Sequence, residues 1–409
     1  MKCKIGSVFC LVLFLGLISL CTAPGLWAGE PTIKIGLIGP FTGPTAFNGG
    51  EMKKGQMLAV DALNEQGGLF GRKIEIVLGD TESKPAQGVA AVKKLITRND
   101  VLIIGGGYHS SVNIATSEVC QREKVPNVVG IAISPTITSR GFDFVFRTAP
   151  TSIQILSGIN DWVKVDKKPK VVGFLMENSD YGRDAEKIWL NLAKEVGAKV
   201  GARLYFEIGD TDFTAQISKL KNLRTDIVFN VGSTTETAIV QKQAKELDFV
   251  TQWIGTGGQM TQAFFEMTGT TCAYNMASTL EPTILAKKDP IVADFVKRYK
   301  EKWDGARPGL FSSQGYDNMM VILDAVKRAG APTGNLEKDR LRIKEALGQT
   351  KIRLTQGFLQ FDKTGQVDVK PTPVQIQIVD GKPKLEVVYP PDRATGTYQE
   401  PLPWAKRPW

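Results

Sequence analysis

Short apolar runs and helical periodicities alternate along most of the 409-residue chain. Ile33-Lys34-Ile35-Gly36-Leu37-Ile38-Gly39 reads as a strand, and Pro40 to Pro44 as the loop leaving it. From Asn48 to Gln66, Met52, Met57, Leu58, Val60, Ala62 and Leu63 supply apolar contacts, which predicts a long helix. Lys73 to Leu78 is the next strand. Pro85 opens a helix to about Arg98, with Val89, Val92, Leu95 and Ile96 facing inward. Val101 to Ile104 is a continuous apolar run rich in β-branched residues, which suits a buried parallel strand. Gly105-Gly106-Gly107-Tyr108-His109-Ser110-Ser111 follows it and leads into a helix over Val112 to Val119. Strands over 128–133 and 144–147 complete this run.

Near Pro150 the pattern restarts. Ile153 to Val163 is helical, Lys170 to Met176 is a strand, and the loop Glu177-Asn178-Ser179-Asp180-Tyr181-Gly182 opens a helix reaching Val196. Strands at 200–206, 226–231 and 253–255 alternate with helices at 213–223 and 235–247. Such alternation implies parallel sheets covered by helices on both faces, an α/β doubly wound architecture in two similar units. The last third departs from it. Helices are predicted over 289–303, 312–329 and 336–347, and short strands over 357–361, 374–379 and 384–388. The stretch from Pro390 to Trp409 holds five prolines and no periodicity. It reads as a tail lying over a surface.

The glycine stretch before Ser110 is the most suggestive local feature. A strand end, a glycine turn and a serine-capped helix start leave backbone N–H groups at the carboxyl end of a parallel strand. That is a place to hold an anion such as a carboxylate, although a plain βα turn would look the same.

Composition adds bounds. The chain is 42% hydrophobic and 23% charged, an ordinary globular balance. Lys2 and Lys4 followed by an apolar run to Leu20 read as a secretory signal peptide over residues 1–28, cleaved after Ala28. Cys21 raises a lipid anchor as the alternative, disfavoured by the large Leu20 before it. About 380 residues then remain, enough for two domains. The net charge of +9 is spread without a Lys/Arg block, so it reads as a solvated surface rather than a nucleic-acid face. Of five cysteines, only Cys120 and Cys272 lie beyond the leader, and both are expected as unpaired buried thiols.

Catalytic apparatus is missing. The sequence holds no P-loop, no G-x-S-x-G elbow, no HExxH and no EF-hand run, and His109 is its one histidine. No CxxC or His/Cys cluster suggests zinc. A two-lobed exported body without catalytic groups suits capture of a solute in a cleft.

Several segments in order carry a resemblance: residues 35–44, Asn64 to Gly68, Asp80 to Pro85, Ser134 to Thr138, Phe146 to Thr148, and Asp180-Tyr181-Gly182. With them the chain resembles the periplasmic solute-binding proteins of ABC transporters, in particular the leucine/isoleucine/valine-binding type. The resemblance implies a type I periplasmic-binding-protein fold of two lobes on a three-stranded hinge. Lobe 1 would be 29–150 with 281–354, lobe 2 would be 151–280 with 355–389, and 390–409 the tail. It implies no enzyme, cofactor or metal. The expected partners are a small carboxylate-bearing ligand and ABC permease subunits, with no nucleic acid. The expected state is a periplasmic monomer.

The site implied by the resemblance transfers residue by residue. Ser110, with Ser111 beside it, matches the serine that holds a ligand carboxylate. Residues 131–134 match a strand end whose backbone groups and threonine hydroxyl help to hold both carboxylate and ammonium, with Ile131 and Ile133 on it. Ile133 replaces a threonine, and Ser134 stands next to it. Tyr181 matches a cleft-lining residue. Two positions depart: the expected acid falls at Gly257 and the expected tyrosine at Ser233. Glu236 remains as another acid. Tyr108, His109 and Phe47 are candidate cleft walls, with capping or packing as their plainer roles. A buried α-ammonium without its acid would be costly. The expected ligand is therefore an aromatic or aliphatic acid lacking the α-amine. A branched-chain amino acid binder and a sensor of the same fold are the alternatives. If His109 faces the cleft, its titration would tie affinity to pH at about 6 to 7.

Overall fold

The computed structural model describes residues 32–409; the signal-peptide segment and Cys21 lie outside these. The first lobe begins β1 (Ile33–Gly39), α1 (Ala46–Glu65), β2 (Ile74–Asp80), α2 (Pro85–Thr97), β3 (Ile103–Gly106), α3 (Ser110–Arg122), β4 (Asn127–Val129) and β5 (Val145–Arg147). Its five strands are all parallel, in the order β2-β1-β3-β4-β5. The buried runs Ile33–Gly39 and Val101–Ile104 make the central strands, as continuous apolar character requires of a sheet covered on both faces.

The second lobe follows with α4 (Ser152–Trp162), β6 (Val171–Glu177), α5 (Asp180–Glu195), β7 (Lys199–Phe206), α6 (Thr214–Asn222), β8 (Ile227–Val231), α7 (Thr234–Glu246), β9 (Gln252–Gly255), α8 (Gln262–Thr268) and β10 (Met276–Thr279). Then come α9 (Pro282–Leu285), α10 (Pro290–Lys302), α11 (Leu310–Ala329) and α12 (Leu336–Gly348). The hairpin β11 (Lys351–Leu354) and β12 (Gly357–Gln360), and the pair β13 (Thr372–Val379) and β14 (Lys382–Val387), end the regular structure. The second sheet has the order β14-β13-β10-β9-β8-β6-β7, with β13 and β14 antiparallel to their neighbours.

The cores show how the chain divides. Leu310, Phe311, Met319 and Ile322 of α11 share one core with Ile35 and Leu37 of β1. Leu354, Leu359, Phe361, Val367 and Val369 join that same core, and Gln366 bridges to Arg147 of β5. The third passage between lobes therefore runs between Val369 and Thr372, later than the boundary at residue 354 that the resemblance implied. The tail crosses the second lobe. Tyr398 packs on Trp162 at 4.9 Å between ring centres, and Trp404 Nε1 donates to Phe249 O at 3.2 Å. Cys120 and Cys272 are free, buried and in different lobes. Burial pushes both thiols up to about 12, so they remain protonated and unreactive. No helix among the described residues is long and apolar enough to cross a membrane.

Candidate functional site

Both sheets reverse strand order at a point next to their first strand: between β1 and β3 in one lobe, and between β6 and β8 in the other. Crevices at the carboxyl ends of strands open at such points, and here the two crevices face each other. Between them lies a cavity of about 580 Å³ of empty space, part of it continuous with solvent.

On the first lobe the wall is built around the end of β3. Gly106 and Gly107 adopt φ of +89° and +88°, a left-handed conformation that glycine reaches without steric cost. A Cβ at Gly107 would stand 2.1 Å from Asn113 Oδ1. The glycine N–H groups do not face a ligand, however. Gly106 N donates to Asn318 Oδ1 at 3.0 Å and Gly107 N to Ile38 O at 2.7 Å. The N–H groups left without intrahelical acceptors are instead those of the first turn of α3, beside the cavity. Ser110 begins that turn, is 3% exposed and lines the cavity. Its Oγ accepts from Ser134 N at 3.2 Å, which leaves its own proton to donate. Asn318 of α11 fixes this arrangement, since its Nδ2 also donates to Val128 O at 2.9 Å. No local signal in the sequence marked Asn318, because the contact spans 212 residues.

Tyr108 and His109 also line the cavity, packed edge to face at 4.8 Å, and Tyr108 meets Phe311 in the same way at 5.3 Å. Ile131, Ile133, Leu310 and Phe311 supply apolar wall. His109 corrects the pH expectation. Burial lowers its pKa to about 4, so the ring is neutral through pH 6 to 7. Its Nε2 lies 3.4 Å from Thr45 Oγ1 and its Nδ1 has no partner among the described residues.

The second lobe contributes Tyr181, Ser233, Gly257 and Ile155. Tyr181 OH bonds to Thr256 Oγ1. Gly257 is tightly covered: a Cβ there would lie 2.2 Å from Leu310 Cδ2 of the other lobe. The wall also holds Glu177, which ends β6 and is not the loop residue that the sequence pattern suggests. Glu177 is 2% exposed and accepts from Ser179 Oγ at 2.5 Å on Oε1. Its Oε2 has no partner among the described residues. Burial raises its pKa to about 7, with the charges of Glu236 and Glu207 adding to the shift. Burial also raises the Tyr108 phenol well above its usual range, reinforced by Tyr181 and Glu177. A polar residue ending an apolar strand at a switch point was the signal available in the sequence.

Four expected residues lie elsewhere. Ser134 turns its hydroxyl away from the cavity and donates to Asp184 of α5, because Arg147 takes its carbonyl at 2.6 Å and holds the loop. Ser111 Oγ accepts from Asp180 N at 3.2 Å, so it joins the lobes instead of lining the cavity. Glu236 bends to Gly209 N at 2.8 Å, where α7 begins, and does not reach the wall. Phe47 is 49% exposed and absent from the lining.

The lobes touch at several points. Asn48 Nδ2 donates to Thr234 Oγ1 at 2.9 Å, in addition to the Ser111–Asp180 and Ser134–Asp184 bonds. Two doubly wound lobes closed over one interior cavity define the type I periplasmic solute-binding class. Residues 32–377 match the periplasmic binding protein family, and the chain belongs to it. It is 28% identical over 336 residues to the leucine-, isoleucine-, valine-, threonine- and alanine-binding protein of Pseudomonas aeruginosa, covering 82% of this chain and 87% of that one. A leucine-binding protein from Thermotoga maritima MSB8 is 27% identical, with TM-score 0.78 over 88% of this chain and 99% of that one. A solute-binding protein of an ABC transporter from Rhodopseudomonas palustris BisB5, in complex with 3,4-dihydroxy benzoic acid, is 22% identical. Its TM-score is 0.77 over 92% of this chain and 99% of that one. Fold and family are those of extracytoplasmic solute-binding proteins, not enzymes.

Proposed function

We propose that the cleft captures a small carboxylic acid with an apolar body, and that the closed chain delivers it to the permease subunits of an ABC transporter. The observation that carries this reading is the wall chemistry. The first turn of α3 and the Ser110 hydroxyl face a cavity whose wall carries Ile131, Ile133, Ile155, Leu310 and Phe311 beside the polar groups of Tyr108, Tyr181, Ser233 and Glu177. Among the described residues the lining has no Lys or Arg, so hydroxyl and backbone dipoles hold the carboxylate. Leu310 occupies the space that a side chain at Gly257 would need, which favours an apolar body beside the carboxylate over an α-amine. The chain works as a monomer, exported by the leader at residues 1–28.

Glu177 favours a second reading, a branched-chain amino acid whose ammonium would meet that buried acid. Thermal-shift screening of the mature chain separates the two. A ligand at 100 times its Kd stabilises by about 2.7 kcal/mol. Aliphatic or aromatic acids should give the largest shift. Leucine or valine shifting most, with no response to bare acids, would establish the amino acid reading instead.

A further inference from the structure

Resting on the acid reading above, we propose that Glu177 recognises a hydroxyl carried by the ligand, so that the solute is a hydroxy acid rather than a bare one. The cavity wall ends β6 on a carboxyl group that is almost fully buried. One of its oxygens is held by Ser179 and the other has no partner among the described residues. Buried polar atoms are nearly always hydrogen-bonded, and leaving one empty is costly. The closed cavity is therefore complete only when the ligand fills Glu177 Oε2.

The neighbours of Glu177 point to the kind of group that fits. Ser233 lines the cavity close to both Glu177 and Tyr108, and its hydroxyl offsets part of the upward shift of each. Tyr181 stands on the same wall with its hydroxyl on Thr256. Each of these groups both donates and accepts. Glu177 does so as well when protonated, the form that burial and the charges of Glu236 and Glu207 favour below about pH 7. A ligand hydroxyl has the same dual character and completes such a cluster without a charge. A ligand ammonium only donates, and would require Glu177 to ionise beside Glu236. Rejecting the analogue that lacks a hydroxyl is also the strongest selectivity that a preformed polar site provides, because its groups are then left unpaired.

The test is titration calorimetry of the mature chain with matched ligands: benzoate against 3- and 4-hydroxybenzoate, and 4-methylpentanoate against 2-hydroxy-4-methylpentanoate and leucine. The hydroxylated member of one pair should bind at least tenfold tighter than its bare parent. Glu177→Met should shrink that ratio to below about threefold, and Glu177→Gln, which keeps a donor and an acceptor, should preserve most of it. Thermal melts of both variants establish that they fold. Equal binding of bare and hydroxylated acids overturns the role of Glu177 while leaving the acid reading intact. Tightest binding by leucine, weakened by Glu177→Gln, makes Glu177 an ammonium partner and overturns the hydroxyl. Failure of every acid to bind overturns the acid reading itself.

Discussion

Gly257→Ala tests whether the closed cleft depends on the contact between Gly257 and Leu310. The added methyl would lie 2.2 Å from Leu310 Cδ2, where carbon atoms normally stay about 3.5–4.0 Å apart. Gly257 belongs to the second lobe and Leu310 to the first, so the overlap exists only when the lobes are together. Gly257 is not among the residues with positive φ, so alanine meets no backbone strain there. Leu310 is packed against the first-lobe core, and relief must come from an off-rotamer leucine or a cleft held slightly open. Off-rotamer side chains cost about 0.5–1.5 kcal/mol and overpacking about 1–3 kcal/mol. Taking about 1–3 kcal/mol against closure alone, affinity should fall roughly 5- to 150-fold, at about 1.4 kcal/mol per factor of ten. Calorimetry with the best acid measures the loss. Small-angle scattering reads whether ligand still compacts the chain, and ligand-free melting should not change. A Leu310→Ala background should remove most of the penalty of Gly257→Ala. Affinity within twofold of the wild type, or an equal loss in both backgrounds, would refute a closure determined by this contact.

Ser110→Ala removes the one hydroxyl that faces the anion from α3, and hydrogen bonds to charged groups are worth about 1.5–3 kcal/mol. Calorimetry should show a 10- to 150-fold weaker acid, whereas unchanged affinity would return Ser110 to a purely structural part. Glu281 should make stability fall with pH. Burial raises its pKa to about 7, above the ordinary carboxylate value, so its contribution is fully present below about pH 4.5 and is lost as pH rises towards 7. About 2.5 units at 1.36 kcal/mol each make roughly 3 kcal/mol. Urea unfolding at pH 4.5 and 7.5 should show that slope flattened in Glu281→Gln, and an identical slope in both proteins would sink the assignment.

The two sheets and most helices were legible because their causes are local. Ile33–Gly39 and Lys170–Met176 are continuous apolar runs, and the helices between strands carry their own periodicity. Ser110 was legible for the same reason, since a strand, a glycine turn and a helix start are neighbours in sequence. The passage between lobes after Val369 was not, because hairpin strands of either lobe share the same alternating pattern. Asn318 could not be seen at all. Its amide locks Gly106 across 212 residues, and nothing near it in sequence differs from an ordinary helix residue.

Ser134 and Glu177 show why a site is harder to read than a fold. Ser134 sits one residue from the cavity lining, yet Arg147 holds its carbonyl and its hydroxyl serves the contact with Asp184. Glu177 reads in sequence as the start of a loop, yet it ends a strand beside the switch point, lines the cavity and keeps one carboxyl oxygen without a partner among the described residues. Position along the chain fixes only which residues can reach the cleft. Which of them face it depends on which are already satisfied by other protein groups. Looking for the acid only at Gly257 and Glu236 therefore leaves out the strand that ends at Glu177. The polar demand of the cavity is set by every strand that ends there, and Glu177 restores to that wall a carboxyl whose partner the ligand must supply.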